Sequence, residues 1–309
     1  MTNDDWLRPK GMAADDGFDV AIRPDGGTWR HTGLLVADLA AGESRTLDSK
    51  SDEYIVLPLS GGGSVEVTVQ GGAVVTLAGR TSVFAGAADC AYVPRNTTVT
   101  LRAVGAATMA LCFARATADV PFSVVRAADV PVELRGAGQC SRQVQNFGTP
   151  DTMAASSIIA CEVITPAGNW SSYPPHKHDE HRPGVESELE EIYYFELQPV
   201  AGAPEGTDPL GYCCISGTDA RPIDVRARVR SGDVLLVPHG WHGPAMAPPG
   251  YDLYYLNVMA GPGPERIWLI CDEPAHGWVR RTWEHEPLDP RLPFRSAASP
   301  RPTDPEDRA

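Results

Sequence analysis

Amphipathic helices of useful length are almost absent from this chain of 309 residues: apolar side chains do not keep the three-to-four spacing that marks a helix. A basic excess is missing too. There are 26 Lys and Arg against 40 Asp and Glu, a net charge of −14 and a pI near 5.0. Phosphates are repelled by such a field, which argues against nucleic acid and acidic membrane surfaces as partners. An acidic substrate must be held by locally placed Arg or Lys instead. No apolar run approaches the roughly 18–20 residues of a membrane span. The first residues, Met1-Thr2-Asn3-Asp4-Asp5-Trp6, show neither the basic nor the apolar part of a secretory signal. Seven cysteines make an odd count without zinc-finger or CxxC spacing, and Cys112, Cys161 and Cys271 lie in apolar runs. The adjacent pair Cys213 and Cys214 is poorly placed to bridge to itself. Buried thiols in a reducing cytoplasm are the expectation.

What the chain has is β signal almost throughout. Glycine and proline, 30 and 28 of them, punctuate short β-branched runs in the manner of an antiparallel sandwich or barrel. Strands are expected at 33–39, 54–60, 63–70, 73–77, 91–94, 99–103 and 108–115, then at 157–164, 191–197, 211–216, 224–229, 234–237 and 253–259. Residues 86–98 parallel 231–242: a turn with an aspartate, an apolar strand, a proline and a second turn. A duplicated β-barrel explains this economically. The expected organisation is an N-terminal barrel over 1–130, a C-terminal barrel over 131–286 and a loosely ordered tail over 287–309. The first copy carries no histidine at the equivalent point, so it is expected to be structural and metal-free.

The chemistry concentrates in the second copy. Pro174-Pro175-His176-Lys177-His178 is followed by Glu190-Glu191, which open the strand Ile192-Tyr193-Tyr194-Phe195, and later by Pro238-His239-Gly240-Trp241-His242. Histidines two apart point to the same side of a strand. A carboxylate at the start of a neighbouring strand and a third imidazole complete a His3Glu set for a divalent cation such as Zn, Mn, Fe, Co or Ni, with positions left open for substrate. Period-two alternation allows only one of Glu190 and Glu191 to point into the barrel.

The two motifs resemble the signatures of the cupin superfamily, with departures: twelve residues separate His178 from Glu191, and the second motif is one residue short between Gly240 and His242. The longer context is more specific. Asn169-Trp170-Ser171-Ser172-Tyr173 precedes the His-x-His, and Tyr251-Asp252-Leu253-Tyr254-Tyr255-Leu256-Asn257 closes the set. Over residues 15–285 the chain is similar to the 5-deoxy-glucuronate isomerase (IolB) family of myo-inositol catabolism, itself related to uronate isomerases of pectin breakdown. The resemblance implies an all-β bicupin with one divalent metal (Zn, Mn, Fe or Co) in the C-terminal barrel, bound by His176, His178, Glu191 and His242. It also implies an aldose–ketose isomerase acting on a small uronate.

That reaction needs a proton carrier and a carboxylate clamp. Candidates for the carrier are Glu190, Lys177, His239 and Tyr254, although Lys177 should point away from the ligands on the pleat. Asp179 reaches the site only if the chain turns there, as a partner that orients a ligand imidazole. Arg142 is the expected clamp, because a guanidinium matches a carboxylate bidentately. Asn257 is placed to bond a sugar hydroxyl, and Tyr173 to line the pocket with Trp170, Trp241 and Tyr255. Three other readings stay open on the residues alone: an Fe-dependent cupin dioxygenase, a sugar-binding module, and an isomerase of 5-keto-4-deoxyuronate. A homo-oligomer is compatible with the apolar sheet faces.

Overall fold

Apolar, β-branched runs become strands because such side chains fit a pleated, half-buried surface. Strand Asp224–Val229 shows the simplest case: Val225, Ala227 and Val229 are buried while Asp224, Arg226 and Arg228 are exposed. The computed structural model describes residues 3–294, and every strand expected above appears there with its ends shifted by a few residues.

In the first half, six strands run in the order Ser123–Val125, Cys90–Val93, Asp52–Ser60, Ala107–Arg115, Thr32–Leu39, Val20–Ile22. Four more, Ser44–Asp48, Thr98–Ala103, Val65–Val69 and Val74–Leu77, form a second sheet. The second half repeats the plan. Its larger sheet runs Leu7–Arg8, Val234–Val237, Glu190–Pro199, Tyr251–Ala260, Ile159–Thr165, Arg142–Gly148, Val132–Arg135. Its smaller sheet runs Asp224–Val229, Gly211–Ser216, Trp241–Met246, His176–Lys177, Cys271–Asp272, with Trp170–Ser171 also paired to Trp241–Met246. All pairings are antiparallel.

Period two divides the cores. Leu35, Ala37, Val56, Leu111 and Val67 share the core inside the first barrel. Their neighbours Leu34, Val36, Ile55, Leu57 and Cys112 belong to the other core, with Ala160, Ile164, Ile192, Leu256 and Val258. The two large sheets therefore pack face to face, and each such Leu, Ile or Val contributes roughly 1.5–3 kcal/mol on burial. Buried polar groups tie the same layer. Glu53 accepts from the backbone N–H of Ser156, Ser157 and Ile158 at 2.5–2.7 Å. The Arg80 guanidinium pairs with Glu162, which also accepts from the Tyr254 hydroxyl at 2.6 Å.

Two features differ from the expected division. The chain start does not join the first-half sheets, since Leu7 and Arg8 pair with Leu235 and Val234. Part of the tail is fastened: Asn169 Nδ2 donates to Asp289 at 2.9 Å, Arg291 Nη1 to the Ala167 carbonyl at 2.8 Å, and the Phe294 N–H to Gln143 Oε1 at 2.7 Å. The remainder of the expected tail, 295–309, lies outside the described residues. No helix among the described residues is long and apolar enough to cross a membrane.

Candidate metal centre

His176 and His242 face each other across paired strands, in register. His178 lies beyond the end of the same short strand, and the Leu189 N–H donates to its carbonyl at 2.8 Å. The three rings gather with centroids 4.5 Å (His176 to His242), 4.7 Å (His178 to His242) and 6.3 Å (His176 to His178) apart. One nitrogen from each falls within 4.8 Å of the others. Glu191, at the start of Glu190–Pro199, brings Oε2 to 3.3 Å from His178 Nε2 and 3.1 Å from His242 Nε2.

Each Nδ1 is turned to a backbone carbonyl: His176 to Pro174 at 3.4 Å, His178 to Leu189 at 3.3 Å, His242 to Gly240 at 3.2 Å. With Nδ1–H assigned as donor by these neighbours, the Nε2 lone pairs are left free. His178 Nε2, His242 Nε2 and Glu191 Oε2 are all buried without a hydrogen-bond partner; the carboxylate is near the rings, but not at a bonding angle. Three buried acceptors aimed at one point are costly unless something electron-poor sits between them. Burial, with the neighbouring imidazoles, holds His176 well below the ordinary histidine pKa. Burial likewise takes His242 down to about 4. For His178, burial opposes the charged form but the Glu191 carboxylate outweighs it and raises the pKa. Two neutral imidazoles and a carboxylate are a donor set suited to a divalent cation, and the residues fit such an ion.

The surroundings brace the ligands. Lys177 Nζ lies 2.7 Å from both Asp179 and Glu186 and over the Trp241 ring. It points away from the imidazoles, as expected of its place on the pleat. Asp179 accepts from the Gly240 N–H at 2.8 Å, and the Gly240 carbonyl faces His242 Nδ1. Asp179 opens the strand Asp179–Arg182 on the Lys177 side, and through the Gly240 N–H its carboxylate positions the loop that carries His242. Glu186, fully buried between Lys177 and Arg182, was missed by sequence reading, because nothing local marks it off from Glu188.

Register sorts the remaining candidates. Glu191, Tyr193 and Phe195 face the barrel interior with their partners Met259, Asn257 and Tyr255. Asn257 is there, 4% exposed, with an unpartnered Oδ1. Arg142 is 5% exposed; its Nη1 donates to the Cys140 carbonyl at 3.0 Å, and its guanidinium lies 5.3 Å from the Trp283 ring. Burial lowers its pKa to about 10, and Arg135 and Arg280 act in the same direction. Tyr173 has its ring contacts with Trp170 and His276 rather than with the imidazoles.

Two candidates are corrected. Glu190 and Tyr254 point to the opposite face, toward the first barrel. Glu190 accepts from the backbone N–H of Arg30 and His31 at 2.7–3.1 Å, and Tyr254 donates to Glu162. One residue of pleat separates each from the interior. His239 is buried and stands outside the three-histidine group.

The family model for KduI/IolB matches residues 6–279. The chain belongs to the KduI/IolB family. Relatives include the 5-deoxy-glucuronate isomerase of Geobacillus kaustophilus, 37% identical over 88% of this chain and 94% of that protein. The 5-deoxy-glucuronate isomerase of Bacillus subtilis strain 168 is 38% identical over 79% and 86%. Among solved structures, an IolB-like protein from Salmonella typhimurium LT2 aligns with a TM-score of 0.78 and 32% identity, covering 89% of this chain and 98% of that one. An oxalate decarboxylase from Lactobacillus farciminis aligns at 0.60 with 11% identity, over 86% and 88% of the two chains, a likeness of fold. The all-β cupin architecture implied by the KduI/IolB resemblance is thus borne out.

Proposed function

We propose that this member of the KduI/IolB family is a divalent-metal-dependent aldose–ketose isomerase. It converts 5-deoxy-D-glucuronate to 5-dehydro-2-deoxy-D-gluconate in inositol breakdown. The observation that carries the metal-dependent part is the convergence of His176, His178, His242 and Glu191, with the buried acceptor atoms of His178, His242 and Glu191 unpartnered. Relatives named for this isomerase, matched over most of their length, support the substrate.

His176, His178, His242 and Glu191 would hold the ion in the second barrel, and the first barrel serves as structural support. A bound divalent cation supplies Lewis acidity for a carbonyl and positive charge for an anionic transition state. Everything else is the work of the chain. Arg142 presents a buried guanidinium that makes no ion pair with a carboxylate among the described residues, and it clamps the substrate carboxylate bidentately. Asn257 accepts from a sugar hydroxyl with its free Oδ1. Tyr173 stands beside His276, just before the segment Gly277–His285.

The test is turnover of 5-deoxy-D-glucuronate by purified protein before and after a chelator, with Mn, Zn, Fe or Co added back. Activity that vanishes with chelation and returns with a divalent ion is the expected outcome. A fully metallated protein with no turnover would overturn the reading.

A further inference from the structure

With Glu190 and Tyr254 on the far face and Lys177 locked among carboxylates, the isomerisation has no assigned carrier for the proton that moves between substrate oxygens. Three hydroxyls stand in the wall beside the imidazoles. Ser172 Oγ lies 3.2 Å from the Tyr193 hydroxyl and 3.1 Å from that of Tyr255. Tyr193 follows Glu191 by two residues on the same face, and its ring centroid is 6.2 Å from that of His242. The two phenol rings stack at 4.8 Å and 27°, which sets their hydroxyls side by side.

The backbone is forced into this arrangement. Ser172 has φ of +47°, in the left-handed region that a serine rarely occupies. It is pressed against Gly243, where an added Cβ would come within 1.8 Å of the Ser172 carbonyl oxygen. An unfavourable backbone kept beside a ligand cluster is the kind of strain found at functional sites.

We propose that the hydroxyl chain Tyr193–Ser172–Tyr255 carries the proton that passes from O2 to O1 of the substrate. The proposal rests on the isomerase reading above. From aldose to ketose, the hydrogen on C2 moves to C1 and the carbonyl moves from C1 to C2. A proton leaves O2 and another arrives at O1. One phenol accepts the O2 proton as its own passes to Ser172; Ser172 passes its proton to the second phenol, which donates to O1. Each hydroxyl loses one proton and gains one, so no charge is left on the protein. Burial pushes the Tyr255 phenol up to about 12. A concerted hand-over along the three hydroxyls needs no ionised form.

The experiment uses the full-length, metal-loaded protein and its Ser172→Ala, Ser172→Gly and Tyr255→Phe variants. Metal content, kcat, KM and the solvent deuterium effect are read with 5-deoxy-D-glucuronate. The expected result is a fall in kcat of about 100-fold or more, with KM within about threefold of wild type and metal retained. A wild-type proton inventory that bows, showing more than one proton in flight, should straighten in the Ser172 variants. The glycine variant accepts the left-handed backbone freely, so it separates the hydroxyl from the fold. Ser172 variants with wild-type kcat, or ones that lose activity only in step with metal, would overturn the relay while leaving the isomerase reading intact. Failure of the wild type itself would reject both.

Discussion

Glu190 and Glu191 are adjacent, chemically identical and both buried, and the pleat alone gives them different jobs. Glu191 faces His178 and His242; Glu190 caps the backbone of Arg30 and His31. Glu191→Gln should therefore strip metal and activity together, because an amide is a much weaker ligand for a divalent cation than a carboxylate. Glu190→Gln should keep its metal and register as a loss of stability. Elemental analysis beside turnover checks the pair, and equal metal loss in both would sink the assignment. Arg142 gives a second contrast. Arg142→Met preserves much of its packing against Trp283 but removes the charge. Loss of a charge-assisted bond of about 1.5–3 kcal/mol should lower kcat/KM on the order of 10–100-fold, chiefly through KM, with metal content unchanged. Steady-state kinetics on the metal-loaded variant decide it.

At the scale of elements, the face-to-face packing of the large sheets depends on a few buried polar ties. Arg80 and Glu162, 5% and 1% exposed in their side chains, pair across the layer, with Tyr254 as third member. Arg80→Met leaves the Glu162 charge buried with only a hydroxyl for company. That should cost about 3–5 kcal/mol, whereas Arg80→Met with Glu162→Leu should recover much of the loss. Urea midpoints of the two variants measure the difference. This tie was invisible in the sequence, since 82 residues separate its ends and neither residue sits in a motif. The strands with regular alternation or long apolar runs were legible. Arg142–Gly148 was not, because Gln143 and Gln145 are polar yet buried, with Gln143 capping the Phe294 N–H. Trp241–Met246 was hidden by Gly243 and Pro244, which read as a turn. The convergence of His176, His178, His242 and Glu191 was legible from parity and motif together. Which residues stand behind them was not: parity does place Tyr193 beside Glu191, but Ser172 arrives from a loop whose course no local pattern dictates.

For the whole molecule, the cluster of unpartnered acceptors makes stability and metal binding one measurement. A group that binds the folded state alone stabilises it by RT ln(1 + [L]/Kd), about 4 kcal/mol when the free ion is a thousandfold above its Kd. The unfolded chain scatters His176, His178, Glu191 and His242 and offers no such site, so the sign is fixed: added divalent ion raises the melting midpoint and a chelator lowers it. The rise should amount to several degrees and should saturate with ion concentration. His242→Ala should melt at one temperature with or without ion, while Thr98→Ala, in the first barrel, should keep the wild-type response. Calorimetric scans of the three proteins at stepped Mn or Zn concentrations make the comparison. If His242→Ala shifted as far as wild type, the stabilising ion would be binding somewhere other than between these four side chains.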